Sequence, residues 1–310
     1  MQLKAGASSR RSTLTNQMRN NLTGWGFALP ALIGFVALNL IPMFMSLYYS
    51  LCEYSTVSIP RFIGLENYIN LFNGTDPHFY PSIKATLKYA VMAVPANLLF
   101  SFTIAMMLNR PMKGRTFFRS VFYMPCIVPA VASGFTWMLL LNPEFGLFNN
   151  LLSTLGLPKS QFLWDEKSVI QTIVFIGIWA TGGTQVVFLA GLQDIPSVYY
   201  EALVIDGGNA WHRLRYVTLP MLSSTIFFNL VNGLIGALQV FSAAYVMSGG
   251  GPNNASLFYV YNMWRKAFFY TDMGVASAMA WILFVVVMLM TLLVFKTSKA
   301  WVYYEGVTES

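Results

Sequence analysis

The chain has 310 residues, of which 56% are hydrophobic, 16% aromatic and only 10% charged, and it carries a net charge of +7. An ordinary globular chain has roughly 25% charged residues, so this composition cannot clothe a water-exposed surface and excludes a soluble enzyme or binding domain. The surplus of 19 Lys and Arg over 12 Asp and Glu must then be explained by where it lies along the chain.

A helix crossing about 30 Å of hydrocarbon needs about 20 mostly apolar residues. Charge-free intervals run over 20–52, 89–109, 120–143, 168–193, 216–264 and 273–295. The first, apolar from Trp25 to Leu51, exceeds the core of a cleaved signal and lacks a small-residue cleavage pattern, which predicts a retained helix over 25–50. Further helices are predicted over 85–109, 120–141 and 168–192. The fifth interval is interrupted by Ser248-Gly249-Gly250-Gly251-Pro252-Asn253-Asn254, turn formers whose backbone groups would be unsatisfied in lipid. One helix over 219–247 followed by an extramembrane loop is therefore expected, and a sixth over 273–295. The prediction is an all-α polytopic membrane protein whose six-helix domain, 24–296, lies between terminal segments 1–23 and 297–310.

Lys and Arg accumulate on cytoplasmic loops beside membrane helices, so their distribution predicts orientation. With both termini cytoplasmic, the segments 1–19, 110–119, 213–215 and 296–299 hold twelve of the nineteen cations against five acids on that side. The opposite side pairs seven cations with seven acids. Membrane topology thus accounts for the positive charge without nucleic acid.

Cys52 and Cys126 lack neighbouring His or acidic ligands, so no metal site is expected, and both are read as structural, Cys126 as a small apolar residue within the third span. His78 and His212 fall on opposite sides of the membrane in this topology, which excludes a shared role. The phosphate loop, H-E-x-x-H, C-x-x-C and G-x-S-x-G patterns are missing, and no span carries an ionisable residue that could relay protons or ions. A chain of this kind that moves a solute uphill draws its energy from another subunit.

The fourth span, with Trp179-Ala180-Thr181-Gly182-Gly183-Thr184-Gln185, is polar and glycine-rich for mid-membrane, which suits either a helix irregularity lining a cavity or tight packing. After it, residues 197–220 read as helix, Gly207-Gly208 turn and second helix, with Ser197 as a candidate cap and Pro220 opening the next span. An ordinary interfacial loop helix would satisfy the same pattern. In the fifth span Asn229, Asn232, Gly233, Gly236 and Gln239 recur at intervals of three and four and so share one stripe. Such a stripe can line a path for a polar solute or pack helix against helix. Trp137 is expected to anchor at the outer membrane interface and Trp25 at the inner one.

The loop resembles the E-A-A…D-G…L-P signature of permease subunits of ATP-binding-cassette importers, with Glu201, Ala202, Asp206, Gly207, Leu219 and Pro220 matching. Leu203 and Gly208 stand where that family usually has alanine. The similarity extends from Trp25 along almost the whole chain. It includes Phe62-Ile63-Gly64-Leu65-Glu66-Asn67-Tyr68, Met124-Pro125, Asn142-Pro143-Glu144-Phe145-Gly146, Gln239-Val240-Phe241 and the ending Trp301-Val302-Tyr303-Tyr304-Glu305-Gly306, which is similar to the maltose-type carbohydrate permeases.

The resemblance implies the type I importer permease fold in a bacterial inner membrane. It implies a second related permease, two ATPase subunits that bind ATP and Mg, an extracytoplasmic sugar-binding protein, and no cofactor in this chain. It also implies sugar contacts at Gly233, Gly236, Ala237 and Val240 and at Gly177, Ala180 and Thr181, most of which lack polar side chains here. Asn232, Gln239 and Gln185 are then the neighbours able to hold a sugar, with Trp179 beside them, unless this subunit mainly forms a wall. The competing classes are an ion-coupled secondary transporter, a permease for a non-sugar solute and a membrane-embedded enzyme. Inverted repeats, buried carboxylates and paired catalytic acids are not evident in the sequence to support the first or the last.

Overall fold

The computed structural model describes residues 21–303, so most of the terminal segment 1–23, and Tyr304, Glu305 and Gly306 of the ending, lie outside the described residues. Three long helices could each cross a membrane: α1 (Asn21–Ser50), α3 (Phe79–Asn109) and α14 (Met273–Ser298). Three bent pairs complete up to six spans: α4 with α5 (Arg115–Ile127 and Ala130–Leu140, bent by 100°), α7 with α8 (Val169–Trp179 and Gly182–Asp194, 50°), and α10 with α11 (Ala210–Met221 and Ser223–Leu238, 65°). Shorter helices are α2 (Glu66–Phe72), α6 (Leu147–Thr154), α9 (Ser197–Ile205), the π turn α12 (Ala244–Ser248) and α13 (Tyr259–Trp264).

In α1 a π turn at Val36–Leu40 precedes Pro42, a local widening that accommodates the residue with no N–H to donate. The chain then forms a two-stranded hairpin, β1 (Cys52–Glu53) against β2 (Arg61–Phe62), antiparallel with Cys52 opposite Phe62. Asn67 fixes this hairpin to the end of α1 by donating to the Ser50 and Cys52 carbonyls, each at 2.9 Å. Tyr68 adds a bond to the Ser50 hydroxyl at 2.8 Å, and Gly64 takes the left-handed φ of +67° that the turn requires. The motif around Asn67 is therefore a clamp on the first helix.

At the centre stands α3, whose buried face is made largely of small residues: Ser82, Ala85, Ala90, Ala93, Ser101 and Ala105. Without a hydrophobic force between helices in lipid, small residues let backbones approach and gain dispersion contacts. Against this face pack α7, α8, α11 and α13, and the Thr86 hydroxyl accepts the Tyr259 N–H at 2.8 Å to seat α13. Glycines serve the same purpose where α5 meets α12, since a Cβ on Gly134 would lie 2.8 Å from Val246.

Several expectations change in three dimensions. The third and fifth spans are not single helices. The 100° bend separates α4 from α5, and the stretch expected as one helix over 219–247 loses its regular bonding at Gln239–Phe241. Trp137 is not an interfacial anchor: it is 7% exposed and packs against Phe148, Phe175 and Trp179 with ring centroids 5.5–5.8 Å away. Cys126 is exposed, whereas Cys52 is buried, and both are free thiols. Ser197 is the first helical residue of α9 and makes no capping bond, because Pro196 occupies the cap position. The turn-rich loop after Ser248 is as expected, with left-handed Gly249, Gly250, Asn253 and Asn254 and a cis Gly251–Pro252 bond. It is held to the opposite loop by a bond from Asn253 to Glu166.

Candidate functional site

The loop between the fourth and fifth spans folds as a helix pair standing outside the bundle. At the end of α9 the chain reverses through a Schellman cap: Gly208 donates to the Leu203 carbonyl at 2.8 Å and Gly207 to that of Val204 at 3.1 Å. Gly207 adopts φ +74°, open to glycine and strained for other residues. The missing Cβ at Gly208 has a use, because one there would lie 2.6 Å from the Leu203 Cγ. The two departures from the usual alanines are thus complementary, a larger side chain at 203 filling the space that glycine vacates at 208.

The second helix, α10, starts at Asn209, whose side chain accepts from the Trp211 and His212 N–H groups at 3.0 Å, while His212 Nδ1 accepts from the Asn209 N–H at 3.3 Å. This reciprocal capping box closes the start of the second helix, while the first goes without the side-chain cap expected from Ser197. The helices brace each other, with the Arg213 guanidinium 4.2 Å above the Tyr200 ring and the Tyr200 hydroxyl 3.2 Å from that of Thr218. Glu201, Ala202, Asp206, Gly207 and Pro220 are exposed, and Leu219 is at the edge of exposure. Around them Val204, Ile205 and Trp211 stand 71%, 86% and 61% exposed.

The loop is rooted in two broken helices. One break, at Ala180–Thr181, separates α7 from α8; the other, at Gln239–Phe241, ends α11. Both meet one apolar knot, since Trp179 packs edge-on against Trp137 at 5.5 Å and Val240 joins the same cluster as Trp137, Ile173 and Ala244. Irregular backbone at membrane depth persists only where protein buries it or water reaches it.

The stripe divides. Asn232, Gly236 and Gln239 are exposed on one helical face, and nothing lies within 4 Å of where a Gly236 Cβ would be. Asn229 is buried and donates to the Thr225 carbonyl at 3.1 Å. Gly233 is half-buried, with Val94 3.7 Å from a Cβ built on it. On the fourth span Thr181 and Gln185 are buried and bonded to each other at 3.2 Å, whereas Trp179 is exposed. Asn232→Leu and Gln239→Leu are accordingly expected to reduce solute transport severalfold with unchanged assembly, measured by uptake and subunit co-purification. Failed assembly would make this face a packing surface.

A feature not anticipated from sequence ties the ending to this region. The Tyr303 N–H donates to the Ser223 hydroxyl at 2.8 Å, that hydroxyl donates to the Pro220 carbonyl at 2.6 Å, and Trp301 packs on Phe227. Aromatics in a short tail were its one available signal.

The family described as "Binding-protein-dependent transport system inner membrane component" matches residues 97–298, which contain both broken helices and the whole of α9 and α10. The chain belongs to this family. Among the binding-protein-dependent permeases it is 40% identical over 296 residues to the "Probable ABC transporter permease protein YesP" of Bacillus subtilis (strain 168), covering 94% of this chain and 95% of that one. It is 32% identical to the "Trehalose/maltose transport system permease protein MalF" of Thermococcus litoralis, with 91% and 99% covered. A chain of a bacterial alginate ABC transporter, solved in complex with an alginate pentasaccharide-bound periplasmic protein, superposes with a TM-score of 0.80 at 22% identity over 92% of this chain and 96% of that one. That likeness establishes the fold of an inner-membrane permease.

Proposed function

We propose that this chain is the permease subunit of an ATP-driven importer, forming the pathway for an oligosaccharide and taking its driving force from a separate ATPase docked on α9 and α10. The relatives named for trehalose, maltose and other sugars support the substrate class. The observation that carries the coupling role is the self-braced helix pair, which exposes two acids and three large apolar side chains outside the bundle. Apolar groups exposed together beside charges suit a protein partner. Glu201, Ala202, Asp206 and Gly207 would meet the ATPase, and Leu219 and Pro220 would carry its movement into α11. Because the pair is rooted between α8 and α11, tilting it bears directly on the two helices whose breaks meet at the Trp137 knot, a route to alternating access.

The exposed face of Asn232, Gly236 and Gln239, with Trp179 on the neighbouring span, would offer amides and an aromatic ring to a sugar. The full importer would comprise a second related permease, two ATPase subunits that bind ATP and Mg, and an extracytoplasmic sugar-binding protein, with both termini of this chain cytoplasmic.

Glu201→Ala and Asp206→Ala tests the reading in the assembled complex. Uptake and solute-stimulated ATP hydrolysis are each expected to fall at least about tenfold, the loss of about 1.4 kcal/mol at the contact, while the chain inserts normally. Unchanged ATPase recruitment and uptake would overturn the coupling role.

A further inference from the structure

The elbow helix α4 carries charge that translocation does not use. It meets α5 at 100°, so the chain enters this span through a sharp elbow and not along a straight helix. One side of it exposes Phe117, Phe118 and Val121, Phe117 by 68%. The other side turns Arg115 and Arg119, one helical turn apart and half-buried, toward the end of α8.

There the two guanidiniums share a single neutral acceptor. The Gln193 side-chain oxygen, with its amide oriented by these donors, accepts from Arg115 at 3.0 Å and from Arg119 at 2.7 Å. Arg115 Nε is bonded to the Leu108 carbonyl at 2.8 Å, whereas Arg119 Nε is buried without a partner. Among the described residues the one side-chain ion pair is Lys266–Asp76, on a different part of the fold, so neither arginine has a carboxylate. Arg110 and Lys113, both exposed, stand in the loop leading into α4. A pair of converging, partly desolvated cations with an unspent N–H is costly unless an anion completes it, and the guanidinium fork matches phosphate oxygens.

We propose that Arg115 and Arg119, assisted by Arg110 and Lys113, bind the phosphate of an anionic phospholipid in the leaflet on the side of α9. The exposed aromatics on the same helix decide for lipid over an acidic protein surface, because they seat in the headgroup and acyl boundary while the cations meet the headgroup. The site lies against α8, the helix that leads into α9, so an occupied headgroup would steady the loop's root.

The test uses the full-length permease in detergent, probed by native mass spectrometry and thermal unfolding with phosphatidylglycerol, phosphatidylcholine or inorganic phosphate. Phosphatidylglycerol is expected to be retained and to raise the melting temperature, with neither other probe doing so. Arg119→Gln should lower phosphatidylglycerol retention about tenfold. Arg110→Gln with Lys113→Gln, which alters exposed side chains only, should lower it about fivefold per charge removed. Retention by both variants at the level of the unmodified permease would overturn the proposal. Protection by inorganic phosphate alone, or by phosphatidylcholine as well as by phosphatidylglycerol, would overturn it equally.

Discussion

A permease with valine in place of Gly207 is expected to insert in the membrane at a normal level and to lose more than nine-tenths of its ATP-driven uptake. The turn needs φ +74° at this position, where a Cβ collides with the following carbonyl at a cost of roughly 1–2 kcal/mol, more for a β-branched side chain. That cost falls on a nine-residue helix, far below the length at which a helix is stable by propensity alone, so the Schellman bonds of Gly207 and Gly208 are a large share of what holds its end. Releasing them frees Glu201 and Asp206 from a fixed relation to α10. Gly207→Asn is the control, since asparagine tolerates left-handed backbone, and it should keep most of the uptake. Proteoliposome uptake and ATP hydrolysis, with protease protection to verify insertion, check both; full uptake by the valine variant would show that the turn's geometry is immaterial.

Gly182→Val is expected to have the largest effect on folding, with the yield of assembled permease reduced at least about tenfold. A Cβ there would lie 2.9 Å from the Phe122 carbonyl oxygen and the Tyr123 Cα, and 3.0 Å from the Tyr123 oxygen. These are backbone atoms of the elbow, and no side chain can swing aside, so the cost should reach or exceed the upper end of the roughly 1–3 kcal/mol usual for overpacking. Its neighbour supplies the contrast. Nothing lies within 4 Å of a Cβ on Gly183, and Gly183→Ala should stay within about 0.5 kcal/mol of the wild type. Size-exclusion yield and thermal unfolding of the two variants decide the matter, and equal behaviour would mean that the elbow does not dock on α8 at Gly182.

The spans could be read from sequence because hydrocarbon admits no unpaired charge, which leaves long gaps between Lys, Arg, Asp and Glu that no other constraint produces. The irregularity near Thr181 was legible from its glycines. The break at Gln239-Val240-Phe241 was not, since it has neither Gly nor Pro and its unwinding depends on packing against the Trp137 cluster. Periodicity placed Asn229 and Asn232 on one stripe, but only the packing of α3 against α11 decides that the first is covered and the second open. A lone tryptophan does not name its partners, so the sequence suggests an interfacial anchor where Trp137 is in fact buried. The Gly-Gly turn was evident, as glycine is the residue left-handed backbone calls for. The Asn209 cap has no sequence signature, because its third residue is His212, where glutamate or glutamine usually marks the motif.

The bond from Tyr303 to Ser223 and the seating of Trp301 on Phe227 have a mechanical meaning. They fasten the far end of α14 to the first turn of α11, like a tie rod across the base of two posts. A torque arriving through α10 therefore does not tip the fifth span by itself; it pulls the sixth along, and through Gly274 and the Tyr54 carbonyl it reaches the hairpin that closes α1. Elements more than two hundred residues apart in sequence are geared to one another, so a small stroke at the loop is distributed over the frame.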